Sequence, residues 1–204
     1  MSVNVELYGA ETGNSLRAAI ALNEAGIAFV PKRLDLGSGA HRAPEFLKLN
    51  RAGKVPTLVD HTASPALVIN QSNAIIQYAD LHSPGRLSPL ATNHRLKVVD
   101  RFFYFVTDVI AISQAAFFLR RAGQRDASLS LDQRAMNHLV LAEQFLEDDY
   151  IAGDAFSMAD IAAYTYTLSV QDRLPWISLP RMAGWFERVG SRPAVRAGKS
   201  AFSK

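Results

Sequence analysis

Cysteine is absent from all 204 residues. That single absence excludes disulfides, thiolate metal sites and a cysteine nucleophile, and it fits a reducing compartment. No metal is expected. A strong charge of either sign is missing as well. The formal net charge is only +3, and the 22 basic residues are scattered. Nucleic acid is therefore not an expected partner, although a basic balance remains compatible with anionic small molecules. No apolar run approaches membrane length, and Met1 to Glu6 lacks a basic stretch followed by an apolar one. The expectation is a soluble, cytoplasmic chain without a membrane partner. Repeats and low-complexity tracts are absent too.

What remains is ordinary in bulk: 49% hydrophobic and 20% charged residues, in a length that suits one large domain or two small ones. Val3 to Tyr8 alternates as a strand should and ends at Gly9. From Asn14 or Ser15 the period turns helical through Leu16, Ala19, Ile20, Leu22 and Ala25, stopping at Gly26. Ile27 to Leu36 reads as a second strand, which Pro31 confines to an edge. After a loop at Gly37 to Pro44 come a short helix from Glu45 to Leu49, strands at Thr57 to Asp60 and Ala66 to Ile69, and a helix from Ser72 to Leu81. The order β-α-β then β-β-α is that of a thioredoxin-like domain.

Ser83 to Pro89 gathers turn formers into a linker, and everything beyond Leu90 has helical period. Thr92 to Arg121 carries apolar residues on several sides, Leu131 to Asp149 is amphipathic, Ser157 to Asp160 opens an apolar helix with a capping box, and a last helix starts near Pro180. The expected division is residues 1–82, a linker at 83–90, and an all-helical bundle at 91–204.

Two segments can make a site together. Pro56 heads an apolar run, where a proline is tolerated because it need not donate to a ladder. The residue before a cis-proline there exposes its own N–H and C=O, so Val55 can pair with an extended peptide. Gln71-Ser72-Asn73 then turns helical, and Ser72 with the first free N–H groups suits a carboxylate. A small anionic peptide fits between them.

Three blocks stand in order: Pro44 to Asn50 running into Gly53-Lys54-Val55-Pro56, then Gln71 to Ile75, and finally Gly153 to Ala162. Over almost the whole chain they resemble the cytosolic glutathione transferases, in a bacterial, serine- or threonine-type or unclassified branch. The resemblance implies glutathione as co-substrate, its thiol activated for attack on a small hydrophobic electrophile held by the helical half. Two alternatives are a glutathione-dependent disulfide reductase or peroxidase on the same fold, and a non-catalytic interaction protein. Detoxification and a homodimer are implied as well, with the glutathione half of each subunit on the helical half of the other.

For the site, the resemblance makes Val55 the backbone partner of the cysteinyl unit, Pro56 the cis-proline behind it, and Gln71 and Ser72 the pair holding the γ-glutamyl group. Lys54 and His41 approach the glycyl carboxylate. Thr12, Ser15 and Asn14 compete, in that order, to stabilise the thiolate, with Ser15 expected to be occupied as the helix N-cap. Tyr8, used for that purpose in another branch, is expected as a packed or rim residue of the electrophile pocket. Arg101, Phe105, Asp108 and Ile112 share one face by helical spacing and line the electrophile pocket; of Phe102-Phe103-Tyr104-Phe105 and Phe117-Phe118, some must be core.

Overall fold

A computed structural model of the protein describes residues 3–203. It divides into two compact units: residues up to Leu87 together with those from Ser191 on, and Ser88–Gly190 between them.

The first unit is built on β1 (Val5–Gly9), β2 (Val30–Arg33), β3 (Thr57–Asp60) and β4 (Leu67–Ile69), in the order β2-β1-β3-β4. β1 runs parallel to β2 and antiparallel to β3, which is antiparallel to β4. Its alternation is the expected one: Val5, Leu7 and Gly9 are buried, while Glu6 and Tyr8 lie on the other, half-buried face. β2 lies at an edge, as Pro31 required, and β3 is buried throughout. With α2 (Pro44–Leu49) placed between β2 and β3, this is a thioredoxin-like arrangement.

α1 (Gly13–Ala25) packs on α3 (Ser72–Leu81), with Ala18, Ala19, Ile20, Ala21 and Leu22 all buried. α1 ends at Gly26, whose φ of 72° is a conformation that side chains with a Cβ rarely adopt. The Gly26 N–H bonds back to Asn23 and Leu22, and the Ile27 N–H to Leu22.

The second unit is helical: α4 (Thr92–Tyr104), α5 (Ile112–Arg121), α6 (Arg125–Leu141), α7 (Met158–Val170) and α8 (Pro180–Gly190). α7 is its axis, buried without a break from Met158 to Thr167. The expected cap is present in full. Ser157 Oγ accepts from the Ala159 N–H, and the Asp160 carboxylate reaches back to the Ser157 N–H at 2.9 Å. At α8, Glu143 takes the N–H groups of Arg181 and Met182 at 2.9 and 2.8 Å, an anion where a helix start favours one.

Four local expectations are corrected. Thr92 to Arg121 is one 30-residue run, but Phe105–Ala111 forms a π-helix between α4 and α5. By length and composition this run could cross a bilayer, its most apolar 18-residue window having a mean hydropathy of 1.7, contrary to the expectation that no apolar stretch reaches that size. Its stretch from Phe102 to Leu119 holds Asp108 as the single charge, and a helix that packs on α6 and α7 along one side has the same composition. α6 starts at Arg125 and stops at Leu141, earlier than expected, and Ala142–Phe145 tightens into a 3₁₀ turn.

The last correction is the largest. Beyond Gly190 the chain forms α9 (Pro193–Ser200), which packs on α1 in the first unit and does not join the helical unit. Gly198 sits so close to Ile20 that an added Cβ would lie 2.7 Å from its side chain. Arg192 grips Glu24 with Nε and Nη2 at 2.6 and 2.9 Å, and the Phe202 ring covers Gly9.

Candidate active site

The peptide bond between Val55 and Pro56 is cis, as expected, and so is Ser64–Pro65. Among the described residues, the N–H and C=O of Val55 take no backbone partner. The loop is held from behind by side chains. Asn50 Nδ2 donates to Lys54 O at 2.7 Å and to Thr57 Oγ1 at 3.3 Å; Thr57 donates to Asn70 Oδ1 at 2.9 Å; Asn70 Nδ2 donates to Leu49 O at 3.0 Å. A connected, largely shielded network of this kind fixes one geometry.

The turn at Ala40–Arg42 lies against Gly53, where a Cβ would stand 2.9 Å from His41 O, and Gly53 has a φ of 56°. This brings half-buried His41 beside exposed Lys54. The ring Nδ1 of His41 is buried and accepts or donates no hydrogen bond among the described residues.

On the facing element, Gln71 occupies the N-cap position of α3 with an extended backbone, and no side chain caps the helix. Its first N–H groups therefore carry the partial positive charge of an uncapped start. Ser72, the first helical residue, is buried to 7% exposure.

The loop between β1 and α1 differs in detail from expectation. Thr12, not Ser15, is the N-cap: its Oγ1 accepts from the Ser15 N–H at 3.2 Å and donates to Ser15 Oγ at 3.0 Å. Ser15 has no exposed surface, and its hydroxyl accepts from the Ala10 N–H at 3.2 Å. A side chain without exposed surface cannot touch a substrate's sulfur, so Ser15 leaves the set of thiolate contacts and becomes the support of Thr12. Thr12 and Asn14 stay accessible, both half-buried.

Tyr8 is half-buried on β1. Its hydroxyl donates to Glu6 Oε2 at 3.0 Å and its ring lies 6.0 Å from Phe46, on the α2 face of the sheet. Burial, with the neighbouring Glu6 carboxylate, pushes the phenol up and keeps it neutral.

In the helical unit, Phe105 has no exposed surface and is core, not a pocket wall. The π-helix explains the difference: its wider turn breaks the α-helical spacing that put Arg101, Phe105, Asp108 and Ile112 on one face. Arg101, Asp108 and Ile112 are half-buried. Arg101 lies 3.9 Å over the Phe145 ring and donates to Asp100 at 2.9 Å, and Asp108 accepts from Thr107 at 3.0 Å. Among the aromatics, Phe102 is core while Phe103, Phe117 and Phe118 are 53%, 49% and 56% exposed. Tyr104 donates to His138 O at 2.8 Å, and burial pushes its phenol up to about 12. A separate groove of about 840 Å³ opens between α6 and the turns before α8, lined by Met136, Asn137, Val140, Arg173 and Leu179 among others.

Sequence reasoning passed over Asn50, Asn70 and Arg17. The asparagines sit beside the site blocks, but only their distant partners reveal them. Arg17 had a visible signal: a lone cation inside the apolar run Leu16 to Leu22. It is 3% exposed, and its Nη1 donates to Asn14 Oδ1 at 2.9 Å and to Ser72 Oγ at 3.2 Å. Burial lowers its pKa to about 10, so it remains a cation at neutral pH. Among the described residues no group of three or more His, Asp or Glu side chains is placed to hold a metal ion.

A thioredoxin-like sheet with a cis-proline loop and an uncapped helix start, followed in the chain by a helical unit, defines a two-unit class of fold. The chain belongs to the glutathione S-transferase family: residues 3–80 match the family's N-terminal domain and residues 109–193 its C-terminal domain. It is 25% identical to the disulfide-bond oxidoreductase YfcG of Escherichia coli, over 94% of this chain and 92% of that protein. It is 29% identical to glutathione S-transferase 3 of Zea mays, over 94% and 91%. The crystal structure of a glutathione transferase homologue from Lodderomyces elongisporus, which carries two GSH per subunit, shares the fold with a TM-score of 0.85 at 22% identity, covering 96% of this chain and 97% of that one.

Proposed function

We propose that the protein binds glutathione in its first unit and activates the thiol for attack on a small hydrophobic electrophile. The observation that carries this reading is the pairing of the unpartnered Val55 backbone before cis-Pro56 with the uncapped start of α3 at Ser72. Val55 would take the cysteinyl backbone, Gln71 and Ser72 the γ-glutamyl end, and Lys54 with His41 the glycyl carboxylate. Asn14 would donate to sulfur, and Thr12 would do so by turning its one hydroxyl hydrogen from Ser15 Oγ to the ligand. Lowering a thiol pKa from about 8.5 by about two units needs roughly 2.7 kcal/mol of preference for the anion, within reach of two donors at a helix start. On the acceptor side, Arg101, Asp108 and Ile112 remain as half-buried groups of the helical unit.

A second reading has one specific support, the likeness to a disulfide-bond oxidoreductase. In that reaction one glutathione thiolate attacks a disulfide, releasing a thiolate that takes up a proton. A second glutathione then resolves the mixed disulfide, giving a second thiol and glutathione disulfide. No protein cysteine is needed, and this chain has none. A non-catalytic role is poorly supported, since Lys54, Val55-Pro56, Gln71 and Ser72 are all retained.

We also propose a cytoplasmic homodimer formed through the run from Thr92 to Arg121, on which Leu96, Phe103, Phe117 and Phe118 are exposed. Assay of the purified protein with glutathione and a panel of electrophiles, a hydroperoxide and a disulfide tests the activity. Turnover of the electrophiles supports the first reading, turnover of disulfide or hydroperoxide alone the second, and no turnover with any of them overturns both.

A further inference from the structure

We propose that Arg17 is a positioning residue that holds both ends of the glutathione site in their donor state. The inference rests on the glutathione-binding reading above. Arg17 lies on α1, three residues from Asn14, while Ser72 is 55 positions away at the start of α3. One terminal nitrogen, Nη1, serves both, at 2.9 Å to Asn14 Oδ1 and 3.2 Å to Ser72 Oγ. That nitrogen carries two hydrogens, one for each oxygen.

The consequence is chemical. An amide whose oxygen is held from behind is oriented with its NH₂ forward, and NH₂ is the end a thiolate needs. A hydroxyl whose lone pair is taken has its hydrogen to give, and a carboxylate needs that hydrogen. Arg17 thus sets the polarity of two side chains that do not bond each other, one proposed at sulfur and one at the γ-glutamyl carboxylate. The rigid plane of the guanidinium fixes their separation as well.

A purely structural role does not account for the residue. Arg17 is surrounded on α1 by buried Ala18, Ala19 and Ile20, a setting an apolar side chain would fill without desolvating a charge. A cation kept there has to serve groups that need one.

The test compares Arg17→Met, which keeps the stem and removes the fork, with Asn14→Ala and Ser72→Ala, alone and combined. Affinity is measured by calorimetry for glutathione and S-methylglutathione, and the bound thiol's pKa by thiolate absorbance against pH. Arg17→Met is expected to weaken binding of both ligands by about tenfold and to raise the thiol pKa by about 1. Once Arg17 is gone, Ser72→Ala should cost little further affinity and Asn14→Ala should shift the pKa little further. Effects that multiply independently overturn the role of Arg17. If Arg17→Met does not fold, the pair Asn14→Ala and Ser72→Ala answers the same question with Arg17 in place. An affinity loss in the double variant equal to the product of the single losses overturns the proposal; a departure of threefold or more supports it. Failure of the unaltered protein to bind either ligand overturns the underlying reading instead, and so is told apart.

Discussion

The indole Nε1 of Trp185 donates to Oδ1 of Asp160 at 2.8 Å, joining α8 to the first turn of α7. The same oxygen accepts from the Ile151 N–H at 3.0 Å, and Oδ2 accepts from the Ser157 N–H and hydroxyl, each at 2.9 Å. Asp160 has no exposed surface. Burial pushes its carboxyl up while the four donors favour the anion. A residue that caps one helix is therefore also the acceptor that fastens a second helix and a turn.

Asp160→Ala should destabilise the protein far more than loss of a cap, which costs about 1 kcal/mol. It orphans donors on Trp185, Ile151 and Ser157, at about 1–3 kcal/mol each, so a loss of at least about 3 kcal/mol is expected. Urea unfolding checks this, with Asp160→Asn, which keeps one acceptor oxygen, falling between the two. A loss of only about 1 kcal/mol would show that the cap alone matters.

Thr12→Ala and Asn14→Ala are each expected to raise the pKa of the bound glutathione thiol, because in the proposed placement each supplies a donor to the anion. Tyr8→Phe should leave it in place, since that hydroxyl is engaged by Glu6. Thiolate absorbance followed across pH 5 to 9, a range of about two units either side of neutrality, reports all three. A larger shift in Tyr8→Phe than in the other two overturns the assignment.

Ser72→Ala should weaken glutathione binding by about tenfold, the loss of one charge-assisted hydrogen bond of roughly 1.5 kcal/mol. Lys54→Ala should weaken it less, because in the proposed placement an exposed lysine would attract the glycyl carboxylate through water. The Lys54 effect, unlike that of Ser72, should fade as salt is raised. Unchanged affinity in both variants removes the placement.

Sedimentation equilibrium should give twice the 22.4 kDa chain mass. Phe103→Glu with Phe117→Glu should return the protein to a single chain mass without unfolding it, since both rings are about half exposed in one subunit. A chain-mass species in the unaltered protein at tens of micromolar, a concentration well above about 1 μM affinity, refutes the dimer.

What the sequence made legible was local. Thr57–Asp60, Ser72–Leu81 and the Ser157–Asp160 cap are written in neighbouring residues, and they stand where the pattern puts them. The cis bond between Val55 and Pro56 was legible for the same reason. The thiolate loop was only partly so: Thr12, Asn14 and Ser15 are chemically interchangeable caps on paper, and burial decides among them. The π-helix at Phe105–Ala111 leaves no mark in composition, yet it sends Phe105 inward. Arg17 was visible as an oddity, but its meaning depends on Ser72, 55 positions on. α9 begins at Pro193, which announces a helix start but not the unit it joins.

That return of the chain from Ser191 onward to the strand-bearing unit is expected to invert the order of maturation during synthesis. Domains made on the ribosome ordinarily complete themselves from the N-terminus. Here the sheet emerges first but waits for the Arg192 clamp on Glu24, for Gly198 against Ile20 and for the Phe202 ring over Gly9. The helical unit, continuous from Ser88 to Gly190, has every residue it needs before those arrive. A nascent chain stalled at Gly190 with its helical unit clear of the exit tunnel is expected to resist protease there while the sheet is still cut.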